Sequence, residues 1–394
     1  MARGQDDFSG EIKSYSELGE TRLVLSDRGD PLRFETFTFN RNGWLVGWCR
    51  NGQAYSCGFD GSALRSVRVG SGGQAFVWSL PLASAELAQE VARAREVIKR
   101  WREQSDSRPI SLLALSPSEV GERFRRVWGK VAILPPDQYA AAVVQLTQGC
   151  AYNGCRFCSF YKDVPYRVRD GAAFWAHLQE VKDFFGSELE ERRGIFLADA
   201  NAANIEDERL EYALRQIGEL GKTDPAWSRC WQGGVASFLD TFSRSGRSVE
   251  RWRSLREAGL TSLYLGVETG SEALRRKWRK PGHPGEIVDL VGRLKAAGVK
   301  VGVIVLSGAE AEFAGYAHNG ETARLLNALP LDGSDRIYIS EYRSDQQFAT
   351  AEEYVAYRQR CRLATEGLQA ELRMPVYPQG PLVSLYDVWQ YLYR

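Results

Sequence analysis

Three of the seven cysteines in this 394-residue chain lie in one short stretch, Cys150-Ala-Tyr-Asn-Gly-Cys155-Arg-Phe-Cys158. The stretch directly follows a short apolar run that is typical of a strand. Cysteine thiolates are soft ligands that suit iron–sulfur clusters and zinc. A structural zinc ion takes four ligands, and the nearest further candidate, His177, lies well beyond the stretch. Three thiolates fit better a four-iron cluster whose remaining iron is open to a small molecule, and zinc stays the alternative.

The composition is that of an ordinary globular protein, with 44% apolar residues, 26% charged residues and a net charge of +1. The length suits two domains or one large one. Near-neutral charge gives no strong field toward nucleic acid or an anionic membrane. No apolar run approaches a membrane span, and no signal core follows the first residues. Unpaired cysteines without an export signal predict a cytoplasmic protein.

Strand-like and helix-like stretches alternate from residue 143 onward. The predicted strands are 143–147, 194–199, 232–237, 262–268, 299–306 and 335–340, and the predicted helices are 170–186, 206–221, 248–259, 284–297 and 316–329. Such alternation predicts a parallel sheet covered by helices, either doubly wound or closed toward a barrel. In both folds the active site lies at the carboxyl ends of the strands.

Polar residues stand where several of these strands end. Asp199 and Asn201 follow the second strand, Glu268 ends the fourth, and Ser307 with Gly308 ends the fifth. Because the carboxyl ends of parallel strands share one edge, we expect these residues to lie on the rim that carries the cysteine loop. In the fourth strand, Glu268 shares a face with Tyr264, and this face should point inward.

The flanking regions differ from this central pattern. Residues 20–80 are rich in β-formers and turn signals and predict a meander of hairpins, followed by helices at 84–104 and from Ser116. A helix is expected to begin at Thr350. We therefore predict an N-terminal β-rich region with connecting helices at 1–140, a core at 141–345 and a C-terminal helical extension at 346–394.

Three stretches resemble one known family, the radical S-adenosylmethionine (SAM) enzymes. The cysteine loop with the preceding Thr147-Gln-Gly resembles their cluster loop. Residues 255–271 resemble their fourth strand, and residues 295–308 their fifth. The resemblance covers about residues 133–345. It implies an α/β fold with a partial (β/α)6 TIM-like barrel, a [4Fe-4S] cluster, and SAM bound to the open iron.

Matched position by position, the resemblance makes Cys150, Cys155 and Cys158 the cluster ligands. Phe157 falls where an aromatic residue lies against the adenine of SAM. The other positions that fall beside SAM are Asp199 and Asn201 for the methionine amino group, Glu268 and Ser271 near the ribose and methionine, Lys280 for the carboxylate, and the backbone segment Leu306-Ser307-Gly308 beside the adenine.

Two features depart from the family's commonest pattern. Four residues separate Cys150 from Cys155 where three are usual, which resembles a branch with the loop Gly-Cys-x-x-Asn-x-Cys-x-Phe-Cys; Tyr152 stands where that branch has histidine. The usual Gly-Gly-Glu after the second strand is replaced by Ala198-Asp-Ala-Asn201. Either Asp199 or Asn201 can accept a hydrogen bond from an ammonium group, and the choice between them stays open.

The resemblance implies an oxygen-sensitive enzyme in which the reduced cluster cleaves SAM to a 5′-deoxyadenosyl radical that abstracts hydrogen from a small-molecule substrate. An external electron donor such as flavodoxin or ferredoxin is the implied partner. The alternatives are a tRNA or peptide substrate, or a non-catalytic iron–sulfur protein. Near-neutral charge and the lack of a recognisable RNA-binding module count against nucleic acid. The sequence leaves the substrate and the oligomeric state open.

Overall fold

The computed structural model describes most of the chain, and the chain divides into two compact units. The described residues are 12–17, 20–26, 34–69, 76–104, 112–243, 246–309, 318–342, 351–386, 388 and 391–394. Unit 1 comprises Met1–Leu134, Glu180–Glu191 and Trp389–Arg394, and unit 2 comprises Pro135–Gln179 and Arg192–Val388. The three domain ranges expected from the sequence stay a prediction. Thr350, the expected start of the last helix, lies outside the described residues.

Unit 1 is built on an antiparallel sheet whose strands are neighbours in chain order, as a meander of hairpins requires. Its elements are β1 Ile12–Glu17, β2 Glu20–Ser26, β3 Phe34–Phe39, β4 Leu45–Arg50, β5 Gln53–Cys57, β6 Ala63–Val69, β7 Phe76–Pro81, α1 Ser84–Gln104 and α2 Pro117–Trp128. Alternate residues of β2 and β3 are buried, among them Leu23 and Leu25, and these pack with Val97 and Trp101 of α1. The predicted β-rich N-terminal region is confirmed.

An aromatic cluster holds distant parts of unit 1 together. The ring of Phe184 lies 5.1 Å from that of Trp44 and 4.9 Å from that of Trp128. Tyr393, near the end of the chain, contacts Phe59 at a centroid distance of 5.4 Å. Aromatic rings in such tilted and edge-to-face contacts bury much apolar surface, so this cluster is a main part of the unit's core.

Unit 2 is built on a parallel sheet in the order β16-β15-β14-β13-β12-β11-β8. The strands are β8 Ala142–Gln145, β11 Ile195–Ala198, β12 Val235–Leu239, β13 Leu260–Glu268, β14 Lys300–Ser307, β15 Arg336–Glu341 and β16 Leu382–Tyr386; the short β9 Thr147–Gln148 and β10 Arg167–Val168 pair with each other. All six predicted strands are present, with ends that differ by three residues or fewer. Because each strand pairs with the next along the chain, the sheet follows barrel order rather than doubly wound order.

Helices connect these strands in the βα pattern predicted from the sequence. They are α3 Gly171–Phe185, α4 Asp207–Thr223, α5 Pro225–Gln232, α6 Val249–Glu257, α7 Glu272–Lys277, α8 Pro284–Ala296, α9 His318–Ala328 and α10 Ala351–Ala370. The expected C-terminal helix is therefore present as α10. The sequence did not predict α5 or the seventh strand β16. None of the described helices is long and apolar enough to cross a membrane.

The residues of β13 separate onto two faces, as alternation predicted. Leu263, Leu265 and Val267 are fully buried. On the other face, the ring of Tyr264 lies 6.2 Å from that of Phe196 in β11 and 6.4 Å from that of Tyr338 in β15. The hydroxyls of both tyrosines donate to Asp137, at 2.6 and 2.7 Å. Buried hydroxyls need such an acceptor, and this contact joins the segment before β8 to the inward face of the sheet.

Candidate active site

The cysteine loop begins where β8, β9 and β11 meet, and Asp199 fixes that beginning. This carboxylate, only 3% exposed, accepts hydrogen bonds from Gln145 Nε2 and from the backbone N–H of Gly149, both at 3.0 Å. The backbone N–H of Asp199 donates in turn to the hydroxyl of Thr147 at 3.0 Å. One carboxylate oxygen therefore holds Gly149, the residue that precedes Cys150, and the other holds Gln145 at the end of β8.

Hydrogen bonds to main-chain oxygens shape the rest of the loop. Asn153 Nδ2 donates to the carbonyl of Tyr161 at 2.9 Å, and Lys162 Nζ donates to the carbonyls of Asn153 and Cys155 at 2.6 and 3.0 Å. Lys162 thus stabilises the loop through its ammonium group.

The same loop is attached to the segment that follows α7. The hydroxyl of Tyr152 donates to the carbonyl of Arg279 at 2.6 Å, and the backbone N–H of Arg156 donates to the carbonyl of Trp278 at 2.9 Å. The side chains of Arg156, Lys277 and Arg279 are exposed. The loop therefore lies beside a positively charged surface.

The three thiols of the loop are partly buried and free. Burial raises the pKa of the Cys155 thiol to about 11; the charge of Lys280 lowers it, and those of Glu268 and of the other two thiols raise it. Burial likewise raises the pKa of Cys158, against a backbone hydrogen bond from Phe160. The Glu268–Lys280 pair therefore lies within electrostatic range of Cys155 and Cys158.

The loop fits a [4Fe-4S] cluster through the chemistry of its donors. It offers three soft thiols with no carboxylate or imidazole among them. In the part of the chain that the structure describes, no three His, Cys, Asp or Glu side chains form a group ready to hold a metal ion. The fit therefore rests on the donor set.

His177, the fourth ligand considered for zinc, already has a structural role in α3. Its Nε2 accepts the backbone N–H of Gln145 at 2.9 Å, and its side chain is fully buried. Burial, helped by the charge of Arg169, lowers its pKa to about 3. The imidazole is therefore neutral and fixed against β8.

Phe157 and Leu306, both expected beside the adenine, lie in one apolar cluster. This cluster comprises Leu274, Trp278, Ala309 and Tyr342, with Phe157 and Leu306 packed against it. The ring of Phe157 lies 5.1 Å from that of Trp278, which stacks on Tyr342 at 5.4 Å. The structure thus brings together residues that lie far apart in the sequence, next to the cysteine loop.

Glu268 and Lys280 form a nearly buried ion pair. Lys280 Nζ lies 3.3 Å from Glu268 Oε1, and the two side chains are 8% and 12% exposed. The strand register shifts between Gly266 and Glu268, and Glu268 has a φ of +64°. A Cβ on Gly266 would stand 2.7 Å from Glu268 Oε1, so only glycine leaves room for this carboxylate to fold back.

Ser271 belongs to a hydrogen-bond chain that joins the ends of β13 and β14. Its side chain caps α7, and its backbone N–H donates to the Thr269 hydroxyl at 2.9 Å. That hydroxyl lies 2.8 Å from His318 Nδ1, while His318 Nε2 lies 2.6 Å from the carbonyl of Leu306. A carbonyl only accepts, so Nε2 carries the proton and Nδ1 accepts from Thr269.

The side chain of Ser307 contacts α10. Its hydroxyl lies 2.5 Å from that of Thr365, and its carbonyl accepts the backbone N–H of Tyr342 at 2.7 Å. A Cβ on the neighbouring Gly308 would meet Cys361 of α10 at 2.8 Å. The side chain of Ser307 therefore packs against α10, and only the backbone of Ser307 and Gly308 remains for the contact with adenine that the resemblance implies.

Asn201 stands at the start of the turn after β11, with a φ of +61°. It is partly exposed, and its side-chain amide makes no hydrogen bond to another described residue. The same turn is held by Arg247, whose Nη1 donates to the carbonyl of Ala203 and whose Nη2 donates to that of Ile205, at 2.6 and 2.8 Å. Asn201 thus has a fixed backbone and an available amide.

Sequence reasoning missed two buried arginines, Arg247 and Arg275. Both donate to main-chain carbonyls of the loops at the rim. In the sequence, Arg275 is the first of three consecutive basic residues in a short helix, a pattern typical of solvated charges. The available signal for the burial of Arg275 was its spacing from the Ser271 cap. Arg275 lies about one helical turn after Ser271, which places both on the helix face that is directed toward the sheet.

Residues 144–310 match the sequence model of the radical SAM superfamily. No curated protein matches the chain. Among solved structures, the chain is similar to the cobalamin-dependent S-adenosylmethionine radical enzyme OxsB, with 15% identity, 62% of this chain and 32% of that chain covered, and a TM-score of 0.37. The radical S-adenosylmethionine methyltransferase TsrM from Kitasatospora setae shows 16% identity, coverages of 54% and 42%, and a TM-score of 0.36.

A third similar structure, methylornithine synthase PylB, shows 12% identity, coverages of 77% and 79%, and a TM-score of 0.35. The chain spans about a third of the length of OxsB and less than half that of TsrM. The assignment therefore rests on the family match, which includes the cysteine loop, β11 to β14 and the Glu268–Lys280 pair. Residues 144–310 therefore carry a domain of the radical SAM superfamily, whose enzymes use a [4Fe-4S] cluster and SAM.

Proposed function

We propose that this protein is a radical SAM enzyme that abstracts a hydrogen atom from a small-molecule substrate. The observation that carries the proposal is the position of the three-cysteine loop beside the buried Glu268–Lys280 pair and the Phe157 cluster. Soft donors, a charged pair and an apolar aromatic wall are the groups needed to hold a cluster, a zwitterionic amino acid and an adenine.

Cys150, Cys155 and Cys158 would hold the [4Fe-4S] cluster. When bound, the reduced cluster and SAM supply a 5′-deoxyadenosyl radical and methionine at the cost of one electron. The protein itself positions the substrate and excludes water. Burial of the thiols and the apolar cluster around Trp278 support that role.

The SAM-binding residues divide by charge and polarity. Lys280 would bind the carboxylate, and Asn201 the amino group, because its amide oxygen is available. Glu268 and Ser271 would contact the ribose and methionine parts of SAM. Phe157 and the backbone of Leu306 to Gly308 would contact the adenine, where the ring of Phe157 already packs with Leu306 in one cluster.

An external one-electron donor such as flavodoxin or ferredoxin is the proposed partner. The exposed Arg156, Lys277 and Arg279 support this, because they lie in or beside the loop that would carry the cluster and favour an acidic partner surface. The proposed location is the cytoplasm.

The test is anaerobic reconstitution with iron and sulfide, followed by dithionite and SAM. We expect 5′-deoxyadenosine and methionine, measured by chromatography. Cys155→Ala should lose cluster iron and the absorbance at about 400 nm that iron–sulfur thiolate clusters give. A fully loaded cluster that yields no 5′-deoxyadenosine would refute the enzymatic function, and full absorbance in Cys155→Ala would refute the ligand assignment.

A further inference from the structure

Arg275 is a fully buried arginine, 1% exposed, that uses all five of its N–H groups inside the protein. Nε donates to the carbonyl of Gly282 at 3.0 Å. Nη1 donates to those of Val267 and Thr269 at 2.9 and 3.5 Å. Nη2 donates to the carbonyl of Pro281 at 2.5 Å and to the Thr241 hydroxyl at 3.2 Å. Since every donor is used, the guanidinium has none left for a ligand.

These acceptors enclose the Glu268–Lys280 pair on both sides. Val267 and Thr269 immediately flank Glu268, and Pro281 immediately follows Lys280. The backbone of Arg275 takes part as well, because its carbonyl accepts the N–H of Lys280 at 2.9 Å. One residue therefore fixes the main chain next to both members of the pair.

The sheet alone does not hold Glu268 in this conformation. The register between β13 and β14 shifts at this point, and the φ of +64° is one that residues other than glycine rarely adopt. Such a conformation persists only where the surroundings impose it. The bonds from Arg275 to the carbonyls on either side of Glu268 supply that constraint.

We propose that Arg275 is a positioning residue for SAM binding, which acts through Glu268 and Lys280 without touching SAM. This inference rests on the proposed function, because it assumes that the pair binds SAM. Lysine at this position would keep the charge but lose the planar five-donor fork. It could not satisfy acceptors on three segments at once, and the pair would lose its fixed separation.

The experiment measures SAM affinity by anaerobic equilibrium dialysis, with iron content and thermal unfolding recorded for each variant. We expect Arg275→Lys to weaken SAM binding by about tenfold or more, a difference of about 1.4 kcal/mol, with the cluster content unchanged. Thr241→Val keeps the arginine and removes one acceptor, so it should fold normally and weaken SAM binding in the same direction by a smaller factor. Arg192→Lys, a buried arginine just before the amino end of β11, should leave SAM affinity unchanged.

A double variant separates positioning from general support of the fold. If Arg275 acts through the pair, Arg275→Lys added to Glu268→Gln should weaken binding by no more than about twofold, because effects through one shared contact do not add. Multiplied losses in the double variant would overturn the proposal, as would wild-type affinity in both Arg275→Lys and Thr241→Val. A wild-type protein that binds SAM but yields no 5′-deoxyadenosine would refute the proposed function and leave this inference standing. A wild type that does not bind SAM would overturn both.

Discussion

Asp199 and Asn201 are two residues apart and have different hydrogen-bond states. The oxygens of Asp199 accept hydrogen bonds from Gln145 at the end of β8 and from Gly149 at the start of the cysteine loop, whereas the amide of Asn201 makes none to another described residue. The sequence left open which of them meets the amino group of SAM. The sequence could not identify this residue, because the hydrogen bond between Gly149 and Asp199 joins segments that lie far apart in the chain.

We expect substitution of Asp199 to affect stability and cluster loading, and substitution of Asn201 to affect SAM binding. Asp199→Asn would turn an N–H2 toward one of its two donors and leave buried groups unpaired, which lowers stability by about 1–3 kcal/mol and reduces cluster loading. Asn201→Ala should change the free energy of unfolding by less than about 0.5 kcal/mol and weaken SAM binding. Urea denaturation, iron content and equilibrium dialysis measure these effects. Loss of SAM binding in Asp199→Asn with a full cluster and normal stability would contradict the division.

His177 predicts a dependence of stability on pH. Burial, with Arg169, lowers its pKa to about 3 in the folded protein, from an ordinary value of 6.5. The unfolded chain therefore binds one more proton between these values. The stabilisation is present above pH 6.5 and is lost as pH falls toward 3.

His177→Gln keeps an acceptor for the N–H of Gln145 and removes the titration. Between pH 6 and pH 5, the wild type should lose about 1 kcal/mol more of its unfolding free energy than this variant. Urea denaturation followed by tryptophan fluorescence at several pH values measures the difference. Parallel pH curves for the two proteins would show that another group is responsible.

At the scale of elements, the central strands were predictable because helix stops and apolar runs alternate along the chain. Ala258-Gly259 and Ala297-Gly298 each separate a helix from the following strand, as glycine after a helix indicates. β16 was not predictable, since Leu382–Tyr386 is only partly buried and is recruited by pairing with β15.

Gly302 shows how β14 and β13 depend on each other. A Cβ at this position would overlap the ring of Tyr264, which pairs with it across the two strands. Gly302→Ala should therefore displace Tyr264 from Asp137 and destabilise the protein by about 1–3 kcal/mol, as measured by thermal unfolding. Gly292→Ala in α8, where nothing beyond the helix's own backbone lies within 4 Å of the added carbon, is the matched control. Equal melting temperatures for the two variants would contradict the packing described.

At the scale of the whole molecule, the net charge of +1 conceals a local excess of positive charge. Arg156 lies in the cysteine loop, and Lys277 and Arg279 lie in the segment that is hydrogen-bonded to it. The sequence showed Arg156 in the loop but could not show that Lys277, at the end of α7, and Arg279, just after it, lie beside that arginine. That proximity depends on the bonds from Arg156 to Trp278 and from Tyr152 to Arg279.

Replacing Arg156, Lys277 and Arg279 together by glutamate should slow 5′-deoxyadenosine formation driven by reduced flavodoxin by about tenfold or more at low salt. Formation driven by dithionite should stay unchanged, because a small reductant needs no docking surface. The control replaces three other exposed basic residues, Lys222, Arg253 and Lys300. Equal flavodoxin-driven rates in the two triple variants would exclude this surface as the docking site.

Unit 1 draws its aromatic cluster from three separate parts of the chain. Phe184 and Phe185 come from the segment Glu180–Glu191, and Tyr393 comes from the last residues. During synthesis, the ribosome releases the seven strands of the first sheet long before it releases Tyr393. The antiparallel sheet of unit 1 therefore has an incomplete aromatic core until the parallel sheet has also been synthesised. A fragment that ends at residue 140 would lack Phe184, Phe185 and Tyr393, and its Trp44, Phe59 and Trp128 would be exposed to water.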